Sequence, residues 1–432
     1  MLPLALAGLG AIGWACENGV GDSDSGADGA TDGGDGDGDG DGDGDGDGGP
    51  GDGDGADDGT PSGPVSRRDV LRSIADNVVV PATTDFVTRT GALQDAVVAY
   101  AAAEQAGEDS SETLQAAQDA WREAALSWQQ LEVMQFGPAA ASLSGIGGED
   151  IRDEVYSWPT ADSCSVDRAI ESEAYVEGDF IATELVWSYG LDALEYLLFV
   201  HDEGHTCPSQ IQLDGPWSAL SLAEIEARRA AYASVVVGAL TDRAAALAER
   251  WASDGGDFGS LLAAPGEGDS PYASETEALN QVFRGMFYID KQSKDGKLGV
   301  PLGLLPGCKV APCVNLMESP FASISTEALH ANLVALRHLV YGGPDAESGD
   351  GFDDLLEEMG QGSIATDLLS QIDAAIAAME AQEDSLQALA ASDIDALMGL
   401  HASVKGVTDV LKGPFVMALM LEIPAEGAGD ND

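Results

Sequence analysis

In the stretch GLDALEYLLF (190–199) two carboxylates, Asp192 and Glu195, are set into a run of apolar side chains. At helical spacing, three residues put them on one face about one turn apart. Two neighbouring carboxylates in apolar surroundings repel, and one keeps a proton unless a cation lies between them. Carboxylates projected from adjacent helices are how helical bundles build metal sites. An all-oxygen donor set suits a hard cation such as iron, calcium or magnesium. The competing reading is that these acids bond an arginine, a tyrosine or helix-end amides, or face solvent. The residue types leave both readings open.

Other ionisable residues carry less. Glu184 and Ser188 extend the Asp192–Glu195 stripe at steps of four, on a helix expected over about 179–201. His201 and His205, in HDEGH, follow directly and could bind a transition metal. Their place beside Cys207 reads better as a solvated loop. His330 and His338 share a helix face eight residues apart and read as packing or capping side chains, as does His401. Arg122 and Arg284 are candidates to pair with buried acids, and Trp121, Trp128, Trp158 and Trp187 read as core aromatics. The chain has no H-E-x-x-H, no G-x-S-x-G and no Walker-type glycine loop.

The elements that must hold these residues are helices. From residue 64 apolar side chains recur at spacings of three and four, with Pro81 as an expected kink. SETLQAAQDAWREAALSWQQLEVMQF ends at Gly137–Pro138, SLAEIEARRAAYASVVVGALTDRAAALAERWA is long and amphipathic, and STEALHANLVALRHLVYGG closes on paired glycines. With three further helical stretches to residue 425, the prediction is an all-α fold built from bundles.

The chain's 432 residues carry 76 acidic side chains against 19 Lys and Arg, a formal net charge of -57. That balance argues against nucleic acid and against charge-driven docking on an anionic membrane, and it suits cationic partners, metal ions included. MLPLALAGLGAIGWAC (1–16) is a short apolar stretch ending at Cys16. It reads as a secretory signal with a lipobox-like end, so Cys16 is the expected lipidation site; a plainly secreted chain is the alternative. Residues 17–63, with DGDGDGDGDGDGDG, are expected to be a disordered, self-repelling tether, and residues 426–432 form an acidic tail. The repeat's likeness to an EF-hand loop is weak, for it lacks flanking helices and the twelfth-position glutamate. The four remaining cysteines suggest two disulfides in an oxidising compartment, Cys308 with Cys313 around KVAP and Cys164 with Cys207.

Three stretches in this order resemble the imelysin family of bacterial extracytoplasmic proteins: AWREAALSWQQLEVMQFGP (120–138), GLDALEYLLF, and the run from KLGVPLG (297–303) through ESPFASISTEALHANLVALRHLVYGG (318–343). The resemblance implies one helical unit of two bundle-like halves over 64–425, with the family's G-x-H-x-x-E helix at their interface. Gly190 and Glu195 match that motif, and Asp192 stands where the family has histidine. The family position of Glu132 makes it the expected third metal ligand. The family is named for an insulin-cleaving metallopeptidase, and relatives are linked to iron-regulated uptake. The resemblance therefore implies a metal ion, iron favoured, a protein partner in an iron-uptake system, and an extracytoplasmic location, which with the lipobox-like end at Cys16 becomes a lipid-anchored place in the periplasm or on the outer membrane. If the chain is a peptidase, Glu195 is the expected base.

Overall fold

The computed structural model describes residues 64–211, 213 and 217–425. Cys16, the Gly/Asp-rich segment and the acidic tail lie outside the described residues. Among the described residues every regular element is helical, and the all-α expectation holds.

Three long helices make the frame. Val80–Ala106 packs along Ser111–Leu131 on one side and along Leu222–Trp251 on another. Gly107, at φ 67°, ends the first of these in the left-handed conformation that a helix C-terminus favours, and residues 107–110 turn the chain back. Leu222–Trp251 opens on a reciprocal cap between Ser221 and Glu224. By length and composition it could cross a membrane. Here its apolar stripe, Ile225, Tyr232, Val236, Leu240 and Leu247 among others, is buried in the protein core. Ser325–Tyr341 packs against Ser111–Leu131 and Gly362–Glu380, and the latter lies against Ile394–Val410. One continuous apolar core runs through these helices, with Trp121, Trp128 and Trp251 buried in it.

Two local features depart from helical expectation. Pro81 does not simply kink a helix: a π-helical turn, Ile74–Val79, precedes it, and Pro81 falls in the first turn of Val80–Ala106. A wide turn at that point is where the ladder absorbs a residue that cannot donate. The helix expected over 179–201 is broken into Phe180–Thr183, a short 3-10 turn Val186–Ser188, and Leu191–Phe199. Glu184 is extended and Gly190 has φ 89°, so Glu184 and Ser188 do not continue the Asp192–Glu195 stripe. The two disulfides form as paired in the sequence, Cys164–Cys207 with Cα atoms 4.5 Å apart and Cys308–Cys313 with Cα atoms 5.6 Å apart.

Candidate functional site

Gly190 sets the site's geometry. At φ 89° and ψ -168° it occupies backbone space that is essentially closed to side-chain-bearing residues. A Cβ at this position would lie 2.7 Å from the carbonyl oxygen of Val155. The missing side chain thus lets the motif helix, Leu191–Phe199, start directly against the extended segment around Tyr156. Trp121 Nε1 donates to the Leu191 carbonyl at 3.0 Å, and Tyr196 donates to Asp167 at 2.8 Å, which fixes the helix along its length.

That close approach gives Asp192 its partners. Ser157 donates to Asp192 Oδ2 from its amide at 2.6 Å and from its hydroxyl at 2.9 Å. One turn on, Glu195 Oε1 accepts from the amides of Phe321 and Ala322 at 2.9 and 2.8 Å. Ser319 and Ser323, with φ values of 49° and 57°, bend the chain so that it presents those two amides. The other oxygens, Asp192 Oδ1 and Glu195 Oε2, accept no hydrogen bond from described residues. Neither acid forms an ion pair with a described Lys or Arg. Both are over nine-tenths buried, at 8% and 4% exposure, and both line a half-open cavity of about 570 Å³. Its walls are mostly apolar and include Trp158, Val300, Leu316, Met317 and Phe321.

Burial dominates their titration. It pushes Asp192 up to about 7, against the opposing pull of the Ser157 hydrogen bonds and of Arg152 nearby. Burial likewise pushes Glu195 up to about 8, against its two amides and with the help of Asp192 and Glu318. The pair therefore holds protons near neutrality unless a cation takes their place, as the sequence suggested.

A pH experiment follows. The ordinary values for these groups are 3.8 and 4.5, so the folded chain keeps protons that the unfolded chain releases. Stability from this source is full below about pH 4 and is lost as pH rises through 7 and 8, because the folded values are the higher ones. In cation-free buffer, Asp192→Asn/Glu195→Gln should match wild type near pH 4 and gain on it steadily up to about pH 8, at about 1.4 kcal/mol per pH unit of displacement for each group. Urea midpoints that stay parallel across that range would refute the assignment.

Glu132 does not join the pair. Its Oε1 accepts from Trp128 Nε1 at 2.5 Å, and its Oε2 accepts from Gln135 at 2.6 Å and faces Arg152 at 3.4 Å. A carboxylate so committed neutralises a part-buried guanidinium, and its oxygens are already taken by described donors. Among the described residues no three His, Cys, Asp or Glu side chains converge as a metal cage. His201 lies 3.0 Å from the Leu198 carbonyl, His205 packs edge-on to Trp217, and His330 pairs with Glu380 at 3.3 Å. Arg122 pairs with Asp119 and stacks over Phe199, so it serves no buried acid, and Arg284 bonds the Ser144 carbonyl.

Lys297 and Glu318 were not singled out in the sequence, yet they are central. Both are fully buried, with Nζ 2.9 Å from Oε2. Lys297 also donates to Gln129 at 2.6 Å and Asn332 at 2.8 Å, and Tyr156 donates to Glu318 at 2.8 Å. Glu318 immediately precedes the turn whose amides hold Glu195. The signal was present: these two residues open the 297–303 and 318–343 stretches.

The donor set tests the fit of a metal ion. Two hard carboxylates without a basic partner among the described residues, beside a cavity, fit a hard cation whose remaining coordination positions are filled from the cavity. They do not make a closed protein cage.

Compared with known proteins, the chain matches the family model described as Imelysin over residues 79–405. An imelysin-like protein from Psychrobacter arcticum 273-4 shares the fold with a TM-score of 0.62 at 19% identity, over 83% of this chain and 96% of that one. A protein described as an iron-regulated protein A precursor from Parabacteroides distasonis ATCC 8503 also has a TM-score of 0.62 at 19% identity, over 84% and 98%. Identities this low establish the fold alone. No curated protein matches.

Proposed function

The chain belongs to the imelysin family, and from that premise we propose that it is an extracytoplasmic, lipid-anchored protein that binds a metal ion in the service of iron acquisition. Asp192 and Glu195 would hold the ion. The observation that carries this reading is a pair of acids, each over nine-tenths buried, lining one cavity with no described basic side chain paired to either. A cation removes the cost of ionising them there. The ion supplies positive charge and open coordination positions; the chain supplies two oriented oxygens, low-dielectric walls, and amides that hold each carboxylate in one rotamer. Iron is favoured by the hardness of the donors and by the relative from Parabacteroides distasonis, described as iron-regulated.

A metallopeptidase would need a metal-activated water with a base in reach. Asp192 offers no neutral nitrogen ligand in place of the family histidine, and Glu195, the expected base, is held by two amides. No observation favours that reading over binding.

Calorimetric titration with ferrous, zinc and calcium ions at pH 8 tests the proposal. Wild type should bind at least one of them with a Kd below about 0.1 mM, and Asp192→Asn/Glu195→Gln should weaken it about a hundredfold or more, some 2.7 kcal/mol. The amide side chains keep the acceptors for Ser157, Phe321 and Ala322, so the variant should fold. Affinity no tighter than millimolar, or unchanged in the variant, would remove the metal from this reading.

A further inference from the structure

Resting on the metal reading, we infer that the cavity takes its ion as a complex with a small organic chelator, whose apolar body lies against Trp158, Met317 and Phe321. Three observations lead there. First, among the described residues Asp192 and Glu195 are the only carboxylates lining the cavity, and Glu132 is spent on Arg152. A hard ion of six or more positions must bring its other donors with it. Second, six waters at about 30 Å³ each come to about 180 Å³, roughly a third of the 570 Å³ available. Third, the space left over is walled by Trp158, Val300, Leu316, Met317 and Phe321, surfaces that hydration water does not favour. A large apolar pocket with a few oriented polar groups is the form of a small-molecule site rather than of a bare ion cage.

The geometry also assigns a division of labour. Asp192 and Glu195 release the protons they hold to solvent and displace two waters from the chelated ion, a ligand exchange with no change of oxidation state. The wall segment 300–321, closed on itself by Cys308–Cys313, meets the organic part. Phe321 contributes twice, since its amide orients Glu195 and its ring borders the cavity. The residue is 38% exposed and its ring stands edge-on to Tyr196. This is an aromatic surface at the mouth of the site, on the same residue that aims the metal-binding carboxylate.

The experiment uses four probes under argon: iron(II) alone, benzohydroxamate alone, and iron(III) with one equivalent of either acetohydroxamate or benzohydroxamate. The two chelates offer the same donors and differ by a phenyl group. Binding is read by equilibrium dialysis and by the iron–hydroxamate charge-transfer band. The benzohydroxamate complex should bind at least about tenfold tighter than the acetohydroxamate complex or iron(II) alone. Phe321→Ala and Met317→Ser should each remove most of that tenfold preference for the benzohydroxamate complex. Asp192→Asn/Glu195→Gln should lose both complexes. Equal affinity for the two chelates, or a preference untouched by both wall variants, overturns the chelate inference. Iron(II) binding that depends on the two acids leaves the metal reading standing in that event. Binding of benzohydroxamate as tightly without iron overturns the chelate inference, and no binding in any arm overturns both.

Discussion

Gly190→Ala is expected to destabilise the protein by about 3 kcal/mol or more, the largest single-residue effect in the motif. Two costs act together. The backbone at φ 89° and ψ -168° is a region that side-chain-bearing residues enter at about 1–3 kcal/mol. The new Cβ also meets the Val155 carbonyl oxygen at 2.7 Å, and a backbone atom cannot swing aside as a flexible side chain can. The helix start must then retreat, and with it the contact between Asp192 and Ser157. Gly91 supplies the control. It lies inside Val80–Ala106, and a Cβ there would meet nothing within 4 Å, so Gly91→Ala should stabilise slightly, by up to about 1 kcal/mol. Urea-unfolding midpoints measure both. A Gly190→Ala cost below about 1 kcal/mol would mean that the helix start is not fixed as described.

This glycine also shows where the sequence was legible and where it was not. The spacing of apolar residues reports helices well, because a buried face repeats every three or four positions. It yielded Ser111–Leu131, Leu222–Trp251 and Ser325–Tyr341 with little error. Periodicity failed over 179–190, where apolar and acidic residues still fell at helical intervals although Glu184 is extended and Gly190 turns out of the helix. Nothing in composition separates a helix from a broken one when tertiary contact decides. The acids themselves were legible, since a carboxylate in an apolar run is conspicuous. Their partners were not: apart from the Ser157 hydroxyl, Ser157, Phe321 and Ala322 act through amides, which every residue except proline carries. The partner of Glu132 was hidden too, because Arg152 is twenty residues away in sequence and pairs with it only in the fold.

Lys297→Met should cost about 3–5 kcal/mol, the usual penalty for leaving one member of a buried ion pair alone. Lys297 is fully buried, and burial pulls its ammonium down from the ordinary lysine value while Glu318 pulls it up. Removing it strands Glu318, and it also leaves Gln129 Oε1 and Asn332 Oδ1 without their lysine donor. Exchange of both members, Lys297→Met with Glu318→Gln, should recover much of the loss, since an amide at 318 still accepts from Tyr156 and buries no charge. The single variant has a further consequence that plain destabilisation would not produce. Glu318 leads into the turn whose Phe321 and Ala322 amides hold Glu195. A carboxylate released from those amides loses its fixed rotamer and titrates higher still, since the amides oppose the effect of burial. At a temperature where Lys297→Met is still folded, its metal affinity at pH 7 should fall about tenfold or more, and raising the pH to 9 should restore part of it. Affinity and pH response identical to wild type would show that the ion pair stabilises the fold without positioning Glu195. Lys297 would then belong to the core and not to the site.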